Sequence, residues 1–299
     1  MSRSPTLHCD GPVAAGSGHG APLVATIYGC RVAKKTQFDS AAYYAELGAN
    51  PTLNDLVGGS DGRAVGEASL SLLESYGLPV DQEAVICDFG CGVGRGTAAV
   101  AARINPRSTL LGIDIVPELI DFCETNIGAY RARTDFRLLK AKNDHYQRHV
   151  DLKRLFSTKP QSRKKILSTY AGRVDFLWAF SVFTHLDAES VEDSLRFVRN
   201  LLAKDGRALL TAFVIDSDVS RSISAGTTTY GLEDGIWDGG LFHANQADPL
   251  AFVGFNHDYL LDCVAEAGLV PLEMVYGTWR DSDRPSRSFQ DALLVTPAP

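Results

Sequence analysis

The chain has 299 residues, 45% of them apolar and 22% charged, with a formal net charge of -7, enough for one large globular domain with a sizeable core. The acidic balance argues against a general affinity for nucleic acid or an anionic membrane surface, because both need an excess of Lys and Arg. No window approaches the roughly 20 continuous apolar residues of a membrane-spanning helix, and no basic segment followed by an apolar core opens the chain, so a cytoplasmic location is expected. Its six cysteines (Cys9, Cys30, Cys87, Cys91, Cys123 and Cys263) are scattered without CxxC spacing, so neither a zinc site nor a disulfide framework is expected, and Cys87 and Cys91 read as core packing.

Residues 1–35, rich in Gly, Pro, Ser and Ala, read as a flexible tail. Over 36–82, "FDSAAYYAELG" and "AVGEASLSLLESYGL" carry apolar residues at helical spacing, interrupted by "NPTLNDLVGGSDG", which predicts an N-terminal helical cap. The main domain is expected over 83–299. There the apolar runs "AVICDF", "STLLGIDI", "DFRLLKA", "VDFLWAF" and "RALLTAFV" alternate with helical patterns such as "PELIDFCETNIGAYRA" and "AESVEDSLRFVRNLLAKDG". Such alternation predicts a doubly wound, Rossmann-like α/β fold with a mostly parallel sheet. After a long connection, "HDYLLDCVAEAGL" reads as a helix, and "VPLEMVYGTW" and "FQDALLVTP" as two last strands.

The stretch "VICDFGCGVGRGT" places Gly90, Gly92, Gly94 and Gly96 at alternate positions directly after an apolar strand. A glycine turn lets the backbone approach a ligand closely at the carboxyl edge of such a sheet, where nucleotide cofactors bind. The dinucleotide fingerprint GxGxxG is not completed: its third glycine is Arg95 counted from Gly90, or Thr97 counted from Gly92, which weakens a pyrophosphate or nicotinamide reading. Asp114 ends the next strand run, 24 positions after Gly90, where an acid would accept hydrogen bonds from both ribose hydroxyls.

From Val85 to Ile215, "DFGCGVG", "GIDI", "VDFLWAFSVFTHL" and "LLAKDGRALLTAF" resemble the motifs of the class I S-adenosylmethionine-dependent methyltransferases. "SVFTHL" and the terminal "YGTW...SFQDALL" are similar to a bacterial subgroup associated with sugar, glycan or secondary-metabolite pathways. The resemblance implies a seven-stranded sheet with a reversed C-terminal strand, and S-adenosylmethionine as cofactor. It implies that Gly90, Gly92 and Gly94 surround the methionine part, that Asp88 orients the amino group and that Asp114 holds the ribose. Ile115 would pack on the adenine, and Phe180 or Ser181 would lie near the methionine or the acceptor. The subgroup's acid at the end of the third strand is replaced by Lys140 and Lys142, with Asp144 as its substitute.

An alcohol acceptor must lose a proton as it attacks, and His185 in "FTHL" is the first candidate base; a His at a strand-to-helix junction also serves simply to cap backbone. The insertion 151–173 holds seven basic residues and one acid, read either as a solvated helix face or as an electrostatic guide, through Lys164 and Lys165, for an acceptor carrying phosphate or carboxylate. The connection 216–256 is long enough to be a substrate lid or a partner surface, with Tyr230, Trp237 and His243 as candidate acceptor contacts. The expected activity is O-methylation of a small molecule, sugar or glycan precursor. An N-methyltransferase acting on an amine and a non-catalytic cofactor-binding regulator are the alternatives. No metal is expected, and the oligomeric state stays open.

Overall fold

Five apolar runs form the parallel half of one sheet in the order β3 (Thr134–Leu138), β2 (Thr109–Asp114), β1 (Val85–Phe89), β4 (Val174–Ala179), β5 (Leu202–Ile215). The computed structural model describes residues 38–131, 133–141, 159–228, 232–280 and 286–299. The expected tail, Lys142, Asp144 and Tyr230 lie outside them. Chain order runs outward from β1 in both directions, so the carboxyl ends of β1 and β4 form the switch point where such sheets open a crevice. The last strand, β10 (Asp291–Pro297), pairs antiparallel with β5 and with β9 (Leu269–Val275). Those seven strands match the expected sheet with its reversed C-terminal strand.

Three further strands extend it. Within 216–256, β6 (Ile236–Asp238), β7 (Leu241–His243) and β8 (Val253–Asn256) form a small meander. It joins the main sheet because β8 pairs parallel with Phe213–Ile215, the end of β5 beyond its partner β4. Phe242 and Phe255 are buried there, and Phe252 stacks on Phe213 at 4.1 Å between ring centroids. The expected helix through "LLAKDG" is also corrected. It stops at Leu201, and Leu202 turns to an extended conformation to pair with Val174; burial of Leu202 against the sheet outweighs its helical preference.

The cap consists of α1 (Ser40–Gly48), α2 (Pro51–Asp55) and α3 (Gly62–Ser75). It is held to α4 (Arg95–Arg103), the helix after the glycine turn, by polar contacts that need no charge pairing. Tyr43 donates its hydroxyl to Val93 O at 2.7 Å, and Tyr44 to Arg95 O at 2.8 Å. In return, Arg95 Nη2 donates to Val57 O at 2.5 Å. Gly66 permits the approach of α3, since a Cβ there would lie 2.5 Å from Arg95 O. The remaining helices are α5 (Pro117–Cys123), continued by a π-helical turn Glu124–Gly128, α6 (Arg163–Tyr170), α7 (Ala188–Leu201), α8 (Ser217–Ser224) and α9 (His257–Glu266). Pro117 starts α5 with a preset φ, and Asp187 caps α7 by accepting from Ser190 N at 2.8 Å. No helix among the described residues is long and apolar enough to cross a membrane.

The terminal hairpin is pinned to the top of β5 by a buried ionic network. Asp291 Oδ2 accepts from Val214 N (2.7 Å) and Trp279 Nε1 (2.9 Å), and Oδ1 from Gly277 N (2.8 Å) and Arg280 Nε (3.1 Å). Arg280 also reaches Asp216 Oδ2 at 2.6 Å and Val214 O at 2.5 Å, and lies over the Tyr276 ring. Removing one member of such a buried pair typically costs about 3–5 kcal/mol. Asp291→Asn is therefore expected to lower the urea midpoint by a corresponding amount at unchanged m-value; a loss under about 1 kcal/mol would contradict this role for the network.

Candidate functional site

A cavity of about 990 Å³ opens at the carboxyl ends of β1, β2 and β4. Its inner wall is the glycine turn. Gly90 has φ +81°, and a Cβ at that position would meet Val182 Cγ2 at 2.3 Å, so only glycine fits. Four of the turn's amides are already committed within the protein. Gly90 N and Cys91 N both donate to Ile113 O (2.7 and 3.0 Å), Gly92 N to Asp114 Oδ2 (2.8 Å) and Gly94 N to Cys91 O (2.8 Å). A phosphate-binding turn instead points such amides at the anion. With those four spent, the turn from Gly90 to Gly94 offers a ligand shape more than donors.

Asp114 ends β2 and joins that turn to the next one. Its Oδ1 accepts from Ile115 N (2.7 Å) and Val116 N (2.9 Å), in addition to the Gly92 bond on Oδ2. A carboxylate has about four acceptor sites, so about one remains, on Oδ2, for a ligand hydroxyl. Burial pushes the Asp114 carboxyl above its usual range, against the pull of the three backbone N–H groups.

Asp88 lies buried one residue before the end of β1 and accepts the Thr97 hydroxyl at 2.5 Å. Burial raises its pKa to about 7, with the Thr97 bond pulling down and the charge of Asp114 pushing up. Near neutral pH it is thus poised between its two forms, and a cation beside it would favour the carboxylate.

Across the cavity, β4 ends at Ala179 and the chain turns through Ser181, whose φ of +57° is a strained conformation for a residue with a side chain. Ser181 N donates to Thr211 Oγ1 at 2.9 Å, and that hydroxyl lies 2.5 Å from Gln290 Oε1. A 3₁₀ turn, Phe183–His185, follows. His185 Nδ1 is 2.9 Å from Leu250 O. A carbonyl only accepts, so Nδ1 carries the hydrogen, and in the neutral ring the lone pair lies on Nε2.

Of the residues expected from sequence, Asp88, Gly90, Gly92, Asp114, Ile115, Phe180, Ser181 and His185 all line this cavity. Gly94 stands behind it as the N-cap of α4. Trp237 and His243 do not line it. Trp237 packs edge-on against Phe242, and His243 is buried with Nδ1 2.9 Å from Pro249 O. None of the described residues of 216–256 lines the cavity: Phe242 and Phe252 pack with Phe213 in a separate cluster, and Trp237 is 46% exposed. The segment touches the site through the Leu250 carbonyl, which holds His185. Lys140, Lys164 and Lys165 point to solvent, whereas Arg163 of the same basic run reaches the wall beside Leu139.

Sequence reasoning missed the cover over the site. The cap supplies Leu56 and Val57, and the loop before β10 supplies Arg287, Phe289 and Gln290. The only signal for the second was "SFQD", quoted above as a motif without a role. Among the described residues, no group of three or more His, Cys, Asp or Glu is placed to hold a metal ion.

Residues 87–208 match the family model described as a methyltransferase domain. Among solved structures, mitomycin 7-O-methyltransferase is similar at 12% identity with a TM-score of 0.51, over 88% of this chain and 64% of that one. The 1,6-didemethyltoxoflavin-N1-methyltransferase of Burkholderia thailandensis, solved with bound S-adenosylhomocysteine, is 17% identical with a TM-score of 0.49, over 87% and 89%. Magnesium protoporphyrin IX methyltransferase of Synechocystis PCC 6803 is 14% identical with a TM-score of 0.49, over 86% and 97%. At such identities the likeness concerns the fold, and the first of the three carries it.

The state of Asp88 has a thermodynamic signature. Its folded pKa lies above the unfolded value, so the folded chain holds a proton that the unfolded chain has lost. That contribution to stability is complete below the unfolded pKa and is lost as pH rises towards about 7. Asp88→Asn is expected to flatten the fall in Tm between pH 5 and pH 8 relative to wild type; parallel curves for the two proteins would contradict the assignment.

Proposed function

We propose, from the premise that residues 87–208 form a class I S-adenosylmethionine-dependent methyltransferase domain, that the enzyme methylates an oxygen of a small-molecule, sugar or glycan-precursor acceptor. The observation that carries the choice of oxygen is His185, on the cavity wall with its Nδ1 proton committed to Leu250 O. Methylation of a hydroxyl requires a proton acceptor, and with Nδ1–H given to Leu250 O the ring's second nitrogen, Nε2, is the one that can take the proton.

The cavity fits the cofactor. Four amides of its turn are spent internally, which supports a nucleoside without phosphate, and Asp114 Oδ2 retains capacity for a ribose hydroxyl. Ile115, Leu119 and Leu139 provide an apolar surface for an adenine ring, and Asp88 would face the amino group as a carboxylate. S-adenosylmethionine, when bound, supplies a sulfonium-activated methyl group, so the chain's own task is orientation and exclusion of water. Leu56, Val57 and Phe180 keep the walls apolar, while Ser181 fixes the turn on which His185 is carried. Arg287 gives the same cavity a cation, beside Arg163, which pairs with Asp193 at 3.3 Å, and this supports an acceptor bearing carboxylate or phosphate.

The test is transfer of a labelled methyl group to a panel of phenols, hydroxy acids, monosaccharides and nucleotide sugars. With the best acceptor, His185→Gln is expected to lower kcat by about 10²-fold or more while cofactor affinity stays within about twofold. An unchanged kcat would reject the base, and a product methylated on nitrogen would reject the O-methylation reading.

A further inference from the structure

Gln290 is held in a way the reaction described so far does not use. Its neighbours in sequence are both fixed: Phe289 O accepts from Trp279 N at 3.0 Å, and Asp291 is the buried centre of the ionic network. Its side chain is half-buried and lines the cavity. The amide orientation is given by its contact with Thr211. Ser181 N–H can only donate, so it occupies a lone pair of Thr211 Oγ1. The atom that Thr211 Oγ1 faces at 2.5 Å is Gln290 Oε1, an acceptor, so the hydroxyl donates its hydrogen to it. The Gln290 carbonyl therefore faces Thr211 and its NH₂ faces the other way, with no hydrogen-bond partner among the described residues.

We propose that Gln290 is the acceptor-orienting donor of this enzyme, its amide NH₂ binding an oxygen of the acceptor distinct from the one that is methylated. Resting on the reading of the cavity as a methyltransferase site, this narrows the acceptor to molecules with a carbonyl, carboxylate or second hydroxyl oxygen near the reacting hydroxyl. Gln290 is two hydrogen bonds from Ser181, on the turn that leads directly into His185, so donor and base serve the same end of the cavity. Thr211 acts through Gln290 as a positioning residue: Ser181 N holds its Oγ1 and its hydroxyl donates to Gln290 Oε1, which sets the face of the amide that the acceptor meets. Phe289 beside it adds an aromatic surface against which a flat acceptor packs.

The test compares two probes of nearly the same shape, acetophenone and α-methylstyrene, which differ in a carbonyl oxygen against a methylene. Their affinities for the protein saturated with S-adenosylhomocysteine are measured by ligand-observed NMR. The ratio favouring acetophenone is expected to fall about fivefold to tenfold in Gln290→Leu, the worth of one hydrogen bond. Gln290→Glu, which replaces the donor with an acceptor, is expected to lose it as well. Thr211→Ser should retain the wild-type ratio, and Thr211→Val should lose it by freeing the amide to turn. Unchanged S-adenosylhomocysteine affinity across the variants shows that each is folded with its cofactor site intact. A ratio unmoved in Gln290→Leu, equal behaviour of the two Thr211 variants, or binding of neither probe to the loaded wild type would overturn the proposal. Failure of the wild type to bind S-adenosylhomocysteine would instead overturn the reading on which it rests.

Discussion

Asp114 is the joint on which the site depends. Its carboxylate accepts from Gly92 N in the turn after β1 and from Ile115 N and Val116 N in the turn after β2. Two loops from neighbouring strands are thereby fixed around one charge, and no phosphate is needed to organise them. Both flanks rely on that geometry. The cap lays Val57 on the turn and holds it there through Arg95, while Val182 fills the space that a side chain at Gly90 would need. Of the about four acceptor sites on such a carboxylate, three are spent inside the protein, so the cavity is preorganised by the same group that selects a ligand hydroxyl.

A second fixed point lies at the other end of the sheet. The network of Asp291, Arg280 and Asp216 ties the terminal hairpin to the tip of β5 and to the first turn of α8. A buried cation between two carboxylates is weak evidence for net stability, since desolvation offsets much of the attraction. Its directional bonds do something else. They fix the residue after Gln290, just as Asp114 fixes the residues around the glycine turn, so the side chains facing the cavity from opposite ends of the sheet are both set by buried carboxylates.

The parts of this site legible in sequence are those where one residue type at one strand end has a single physical use. The alternate glycines, Asp114 and His185 were readable because each directly follows an apolar run whose strand character was plain. Leu56, Val57, Arg163, Thr211 and Gln290 were not, because they arrive from the cap, from α6 and from both strands of the C-terminal half, and only the folded sheet brings them together. Trp237 and His243 were named because an aromatic-rich connection suggests a lid, but neither lines the cavity: Trp237 is 46% exposed beside Phe242, and His243 is buried against Pro249 O. Arg163 shows the limit of charge counting. The basic run marked the right helix, but the helical phase puts Arg163 on the cavity wall and leaves Lys164 and Lys165 in solvent.

The central claim is that the glycine turn and Asp114 are built for a nucleoside that brings no phosphate. Calorimetric titration with S-adenosylhomocysteine and with NADH, on wild type and on Asp114→Ala, tests it most directly. Binding of S-adenosylhomocysteine that weakens about tenfold or more in the variant, with no heat from NADH, is the predicted result. Tighter binding of NADH, or S-adenosylhomocysteine affinity indifferent to Asp114, would contradict it.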